Sequence, residues 1–296
     1  MKWVDVNGCQ TWEELGLQVP AVFFQTGWAF PQFNRLGEAA RRNGAKVVSM
    51  IDNCWKGNLR QWIGAGYFRF KLRRRFRSVW VPGASGRKLC QFLGMPANRI
   101  YTGLYGADPG DFHPGPTPTE RRPKRFLFVG QLIQRKGVLE TLAAFESFRA
   151  RFPDWELHVI GDGPLRELCA NRDGVVWVGF KTSDVIAEYY RTCRCLILAS
   201  HDEHWGVVVH EAALSGCGLI VSRWVGAAED LCGANNSVVV PAVTARALND
   251  AMVRVAGWDE ARWAVAALES TEKADQFGPR QWRETFVTIV EASAKM

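Results

Sequence analysis

The sequence has no apolar run long enough to cross a bilayer: its longest, such as CLILAS and AVFF, fall far short of the ~18–20 consecutive apolar residues a spanning helix needs. No charged-then-apolar leader opens it, so a cytoplasmic protein is expected, or one peripheral on the inner face of the plasma membrane. The eight cysteines, Cys9, Cys54, Cys90, Cys169, Cys193, Cys195, Cys217 and Cys232, contain no C-x-x-C spacing. A chain of this length needs no disulfide framework, and they are read as reduced, mostly buried thiols. Acid is missing from one long stretch: from Asn53 to Ala107 there are 11 Lys or Arg and no Asp or Glu. As a result residues 1–115 carry a net charge of +9 and the remainder −2, so the overall +7 belongs to one half. With 47% hydrophobic residues over 296 positions, a disordered or fibrous chain is excluded and two cores can be filled.

What is present is alternation. From Phe126 onward FLFV, ELHVI, VVWV, CLILA, GLIVS and SVVV are separated by segments of helical pattern. Six such strands with crossovers between them imply a parallel, doubly wound sheet. The first crossover, VLETLAAFESFRA, puts Val138, Leu142 and Phe145 on one face, with Glu140 and Arg151 elsewhere. The first half repeats the pattern more weakly, with strands near AVFFQ, KVVSMI, SVWVP and RIYTG. Helices are expected there at FNRLGEAARRNG, NLRQWIGAGYFRFKLRRRF and SGRKLCQFLG. Between the halves HPGPTPTERRPKR holds four prolines and suits a linker, which sets a boundary near Thr119 and domains of 1–119 and 120–296. The last helix is read as one that can return to the first domain.

In such sheets ligands sit beyond the carboxyl ends of the strands, where glycine turns and helix N-termini gather. FVGQLIQRKG gives a strand, then Gly130 and Gln131, then Arg135-Lys136-Gly137 at a helix start: a seat for a diphosphate, or a solvated basic loop. VIGDGPLREL follows the next strand, and Gly161, Gly163 and Pro164 make a tight turn into a helix, short of G-x-G-x-x-G. In ASHDEHWGVVVHEAALSG, Glu203 lies in a loop, Gly206 opens a helix and Glu211 sits about one and a half turns inside it. The N–H groups of Val207 and Val208 can receive a phosphate while Glu211 accepts two hydrogen bonds from a ribose diol. The plain alternative is a helix-capping Glu203 and a solvated Glu211.

In order and spacing these segments resemble the retaining GT-B glycosyltransferases of the family-four type, the group 1 glycosyl transferases. The resemblance runs from about Ala21 to Val240 and rests on FVGQLIQRKG, VIGDGPLREL, VVWVGFKTSDVIAEYY and the E-x(7)-E of Glu203 to Glu211. NRIYTGLYGADPGDFHPG and SVWVPGASGRKLCQFLG resemble the end of that family's N-terminal domain more loosely. The resemblance implies an α/β GT-B fold, two Rossmann-like domains facing a cleft with the N-terminal one shortened. It implies retaining transfer of a hexose from a UDP- or GDP-sugar to a hydroxyl of a glycan or lipid-linked acceptor, as in polysaccharide biosynthesis. By it, Lys136 with Arg135 binds the diphosphate, Glu211 the ribose and Glu203 the transferred sugar, while Gly179, Phe180 and Lys181 lie against the base. Two departures stand out. Gln131 occupies a position where the family often has Arg, and the chain opens near what would be the middle of the first domain. The acceptor-side base is therefore weakly defined, with Asp52 beside Asn53 after a strand end as its candidate.

His201, His204 and His210 surround Asp202, Glu203 and Glu211, yet HEAAL does not complete H-E-x-x-H. Neither a metal nor another cofactor is expected. RFKLRRRFR, Arg69 to Arg77, with Trp55, Trp62, Phe68, Phe70 and Phe76 about it, suits an anionic membrane surface; a solvated helix and a nucleic-acid face are the alternatives. A nucleic-acid-binding module and an inactive GT-B-like interaction protein remain the competing functional classes.

Overall fold

The computed structural model describes residues 11–294. Cys9 lies outside them. The described residues fall into two units, one comprising residues up to Leu104 together with those from Arg280 on, the other Tyr105–Pro279.

The first unit is a four-stranded parallel sheet in chain order: β1 (Val22–Thr26), β2 (Lys46–Met50), β3 (Ser78–Trp80) and β4 (Ile100–Tyr101). Its connections are α1 (Pro31–Arg42), with proline in the first turn, α2 (Leu59–Tyr67) and α3 (Ala84–Phe92). Asn58 caps α2 by accepting from the Gln61 N–H, which satisfies one of the donors a helix start leaves open. Val47, Phe68, Val79, Val81, Leu89 and Ile100 share one core. The far end of the chain covers the other face of this sheet. There α10 (Pro279–Ala294) sets Trp282 5.0 Å from Trp80 and Phe286 5.1 Å from Phe24, centroid to centroid, and buries Ile289 beside Val48 and Leu104.

In the second unit the strands are β5 (Arg125–Val129), β6 (Glu156–Ile160), β7 (Val175–Gly179), β8 (Cys195–Leu198), β9 (Gly218–Ser222) and β10 (Ser237–Val240). Most are apolar along nearly their whole length because both faces of the sheet are covered. On one face α4 (Val138–Arg149) turns in Val138, Leu142, Phe145 and Phe148 against Leu248, Met252 and Val255 of α8 (Ala245–Ala256). Phe126 stacks on Trp155 there at 4.4 Å, each such ring contributing ~1.5–3 kcal/mol by burial. The opposite face carries α5 (Ser183–Thr192), α6 (Val207–Leu214), α7 (Ala228–Leu231) and α9 (Glu260–Ala274). All pairings are parallel, in the order β10-β9-β8-β5-β6-β7. The chain starts in the middle at β5, runs out to β7, and returns to β8 to run the other way. The reversal between β5 and β8 opens a crevice at their carboxyl ends.

Three expectations are corrected. The boundary lies after Leu104 and not near Thr119, because the proline-rich segment is fastened to the second unit. The Ala107 N–H donates to His210 Nδ1 at 2.8 Å, Phe112 packs edge-on to Tyr190, and Thr119 Oγ1 donates to Gly216 O at 2.9 Å. The fully buried Arg122 guanidinium donates to Thr117 O, Tyr190 O, Cys193 O and Ser215 O at 2.9–3.2 Å. These include carbonyls at the C-terminal ends of α5 and α6, where a helix leaves acceptors open and its dipole is negative. Second, residues 59–75 do not form one α-helix: α2 passes into a π turn, Phe68–Leu72, and a 3-10 turn, Arg73–Arg75. Phe68, Leu72 and Phe76 all point into the core at a spacing of four, which drifts by ~40° per step around a 3.6-residue helix and less around a wider turn. Third, VIGDGPLREL leads only into a 3-10 turn, Arg166–Leu168, because its backbone pairs with the loop after β5: Leu132 N–H to Asp162 O and Leu165 N–H to Leu132 O.

Of the cysteines described, seven are free thiols, all buried except the half-buried Cys232. Among the described residues no helix is long and apolar enough to cross a membrane.

Candidate functional site

The crevice at the β5/β8 reversal is lined by two loops that were far apart in the sequence. After β5 the chain makes a 3-10 turn, Gln134–Lys136, and Gly137 follows at φ +70°. A Cβ on Gly137 would lie 2.1 Å from Ala199 O, so glycine is what lets this turn rest directly on the end of β8. The contact is stitched by the His201 N–H to Arg135 O at 2.8 Å and by Arg135 Nη1 to Asp202 O at 2.5 Å. A third segment joins from behind β9: the Glu203 N–H donates to Trp224 O and the Gly226 N–H to Glu203 O.

These backbone bonds bring Lys136, Arg135 and Glu203 together. Lys136 Nζ forms a close ion pair with Glu203 Oε2, both side chains being 14% exposed. Arg135 Nη1 stands 3.9 Å from the same oxygen and Ser200 Oγ donates to it at 3.3 Å. The cluster has two cations for one carboxylate, and Arg135 remains open to solvent. Beside it α6 begins at Gly206, φ +91°, with no side-chain cap and no acid in its first turn. A Cβ on Gly206 would meet Leu198, Val225 and Glu203 side-chain atoms at 3.1–3.2 Å. Two cations and an uncapped helix start form a positive seat with hydrogen-bond donors, which suits a phosphate group.

Further along α6, Glu211 Oε2 accepts from the Tyr190 hydroxyl of α5 at 3.0 Å. Burial raises the Glu211 carboxyl above the usual carboxylate range, and the Tyr190 hydrogen bond offsets part of that. The Tyr190 phenol is in turn pushed well up by burial and by the Glu211 charge. Glu211 is therefore neither solvated nor a cap, and Glu203 does not cap α6. Tyr190, Ser200 and Trp224 were not singled out from the sequence, and Asp202 was noted only beside the histidines. The aromatic pair ending VIAEYY was the only mark of Tyr190.

The remaining expected residues lie at neighbouring strand ends or in the other unit. Gln131 is exposed beside Gly130, whose N–H donates to Ile160 O. The Gly161 N–H donates to Gly179 O, and Trp177 Nε1 donates to Gly161 O. Phe180, just past β7, is 76% exposed and Lys181 half-buried. Val207 is exposed and Val208 half-buried in the first turn of α6. Asp52 belongs to the first unit, half-buried beyond the end of β2. The histidines diverge. His201 Nε2 meets Glu140 Oε1 at 3.0 Å, whereas buried His210 accepts from Ala107 and faces Ala274 O with Nε2. Among the described residues no group of three His, Cys, Asp or Glu is placed to hold a metal ion.

Residues 123–257 match the family described as Glycosyl transferases group 1. The chain is 25% identical over 169 residues to an uncharacterized glycosyltransferase of Methanocaldococcus jannaschii, covering 51% of this chain and 43% of that protein. It is also 25% identical over 245 residues to a D-inositol 3-phosphate glycosyltransferase of Acidothermus cellulolyticus, covering 75% of this chain and 52% of that one. The chain thus spans about half the length of these relatives. Among solved structures, Anabaena HepE in complex with UDP and glucose superposes with a TM-score of 0.70 at 15% identity, covering 92% of this chain and 78% of that one. The fold, two α/β units each with a parallel sheet, is that of GT-B proteins.

Proposed function

Because residues 123–257 match the group 1 glycosyl transferases, we propose that the chain moves a hexose from a UDP- or GDP-sugar to a hydroxyl of a glycan or lipid-linked acceptor, with retained anomeric configuration. The observation that carries this reading is the convergence of Lys136, Arg135 and Glu203 beside the uncapped start of α6. A nucleoside diphosphate laid there meets two cations and the N–H groups of Val207 and Val208, while Glu211 reaches its ribose and Phe180 offers a flat face to its base. That the HepE crystals contain UDP and glucose supports a nucleotide-sugar donor by analogy.

In this scheme the glycosidic bond to the diphosphate breaks as the acceptor oxygen bonds to the same carbon. Negative charge grows on the departing diphosphate, where Lys136, Arg135 and the helix end stabilise it. No metal or cofactor is assigned, since these groups supply the positive charge. Lys136 and Glu203 neutralise each other without a donor; an arriving diphosphate competes for the ammonium and turns the Glu203 carboxylate toward the sugar. Asp52 is the acceptor-side candidate for the base that takes the hydroxyl proton. An anionic membrane surface meeting Arg69 to Arg77 is the second proposed partner, and the proposed location is the cytoplasm, peripheral on the inner face of the plasma membrane.

Thermal unfolding with UDP or GDP and a chelator present tests the donor site. At a hundredfold excess over Kd, binding adds ~2.7 kcal/mol. That is a rise of about 5–10 °C for a unit of this size. A shift that appears only with a divalent cation would overturn the metal-free phosphate seat.

A further inference from the structure

We propose that the first unit docks by inserting the exposed apolar stripe of α2 into an anionic lipid surface, with the surrounding cations holding the phosphate headgroups. The segment through α2 and its π turn has two apolar faces. One, Ala65, Phe68, Leu72 and Phe76, is buried in the core of the unit. The other is Leu59, Trp62, Ile63, Tyr67 and Phe70, which are 75, 57, 68, 57 and 82% exposed. Spacings of three and four keep these five on one side of the helix. Trp62 is held in place, its ring 4.5 Å from Phe92 and 6.1 Å from Trp55, so part of the stripe is presented on a fixed base.

Charge decides the occupant. Arg60 lies within the stripe's own helix, and Arg69, Lys71, Arg73, Arg74 and Arg75 follow it. Arg69 and Arg73 donate to Phe92 O at 3.1 Å and Gly94 O at 3.2 Å, which fixes two guanidinium groups beside α3 by neutral carbonyls. No acid occurs in the sequence from Asn53 to Ala107, although Arg75 feels the carboxylate of Glu38 on α1. A nucleic-acid backbone would meet the cations but has no apolar phase for Leu59, Ile63 and Phe70. A bilayer face offers both at the right depths: anionic headgroups for the cations, acyl chains for the aliphatic and Phe side chains, and the boundary between for Trp62 and Tyr67. The inference deepens the membrane reading of the cationic run and does not depend on the nucleotide seat.

Flotation with vesicles of phosphatidylcholine alone, and of phosphatidylcholine mixed with phosphatidylglycerol, tests it on the full chain. The wild type should bind the mixed vesicles and keep part of that binding at ~1 M salt, where charges are screened beyond ~3 Å. The double variant Ile63→Ser/Phe70→Ser should lose at least about tenfold at physiological salt and everything at ~1 M. Phe70→Ser alone, changing the most exposed of the five, gives an intermediate loss should the pair perturb folding. Binding by both variants equal to the wild type would overturn insertion and leave charge-only docking. Wild-type protein that ignores the mixed vesicles yet is stabilised by UDP would overturn the membrane reading while the donor reading survives. Self-association in vesicle-free solution that the variants abolish, or tighter binding to an RNA oligomer than to vesicles, would overturn the choice of occupant.

Discussion

Substituting Lys136 by Met, Glu203 by Gln, and both together, probes the crevice through the ion pair at its centre. Both side chains are 14% exposed, between a surface pair worth ~0–1 kcal/mol and a buried one whose breaking costs ~3–5 kcal/mol. Lys136→Met strands a carboxylate that keeps only Arg135 at 3.9 Å and the Ser200 hydroxyl at 3.3 Å. It should therefore cost about 2–3 kcal/mol, or roughly 4–12 °C in melting temperature for a unit of this size. The double variant leaves no stranded charge and should cost less than the Lys136→Met single, a coupling of about 1–2 kcal/mol. Nucleotide binding should separate the partners. Glu203→Gln removes the competitor for Lys136, so UDP or GDP should bind several-fold more tightly while turnover falls by roughly a hundredfold, as for loss of one transition-state contact. Denaturant unfolding supplies the stabilities, calorimetry the affinities and single-turnover kinetics the rate. Additive stability costs, or weaker nucleotide binding by Glu203→Gln, would refute the competition argument.

Glu211→Gln should stabilise the ligand-free protein by about 0.5–2 kcal/mol at neutral pH, because burial holds that carboxyl above its unfolded value and its charged form is the unfavourable one. The gain should shrink as pH falls toward the carboxylate range, and the same variant should raise the donor KM roughly 10- to 150-fold; unchanged melting and kinetics would remove Glu211 from the site. Burial depresses the His210 pKa, so the neutral ring is favoured in the folded state and stability should fall as pH drops through ~6.5. Melting followed from about pH 7.5 to about pH 5.5 should show a loss that His210→Gln lacks in part, His158 acting in the same direction. Arg122→Met strands buried carbonyls at two helix ends and should cost about 3–5 kcal/mol by denaturant unfolding; a cost under about 1 kcal/mol would mean water replaces it.

The strands were legible because burial on two faces forces near-continuous apolar runs, and all ten runs lie in strands. The individual members of the crevice were legible for a similar reason, since glycine, cations and carboxylates at strand ends have few structural uses. Their partners were not. Lys136 and Glu203 were each assigned to a ligand, yet they meet each other across 67 positions only because Gly137 seats one loop on the end of β8. Tyr190 meets Glu211 through the packing of α5 on α6, which no local pattern encodes. Composition misled at the boundary: prolines and charges between His113 and Arg125 look like a linker, but Arg122 finds three of its carbonyl acceptors 68 to 93 residues away.

Those distant contacts share a target, and it bears on the proposed phosphate seat. α6 has eight residues and is too short to hold its position by its own hydrogen bonds. It is fixed near its N-terminal end by Glu203 and the loop after β9, at mid-length by His210 between Ala107 and Ala274 and by Glu211 on Tyr190, and at its C-terminal cap by Arg122 on Ser215 O. Five of its residues are buried. A helix start works as a phosphate seat only if its N–H groups already point at the ligand before charge develops there. In the proposed scheme Tyr190, His210 and Arg122, which clamp α6 from behind, therefore act on the same step as the cations that face the donor, although none of these three touches it.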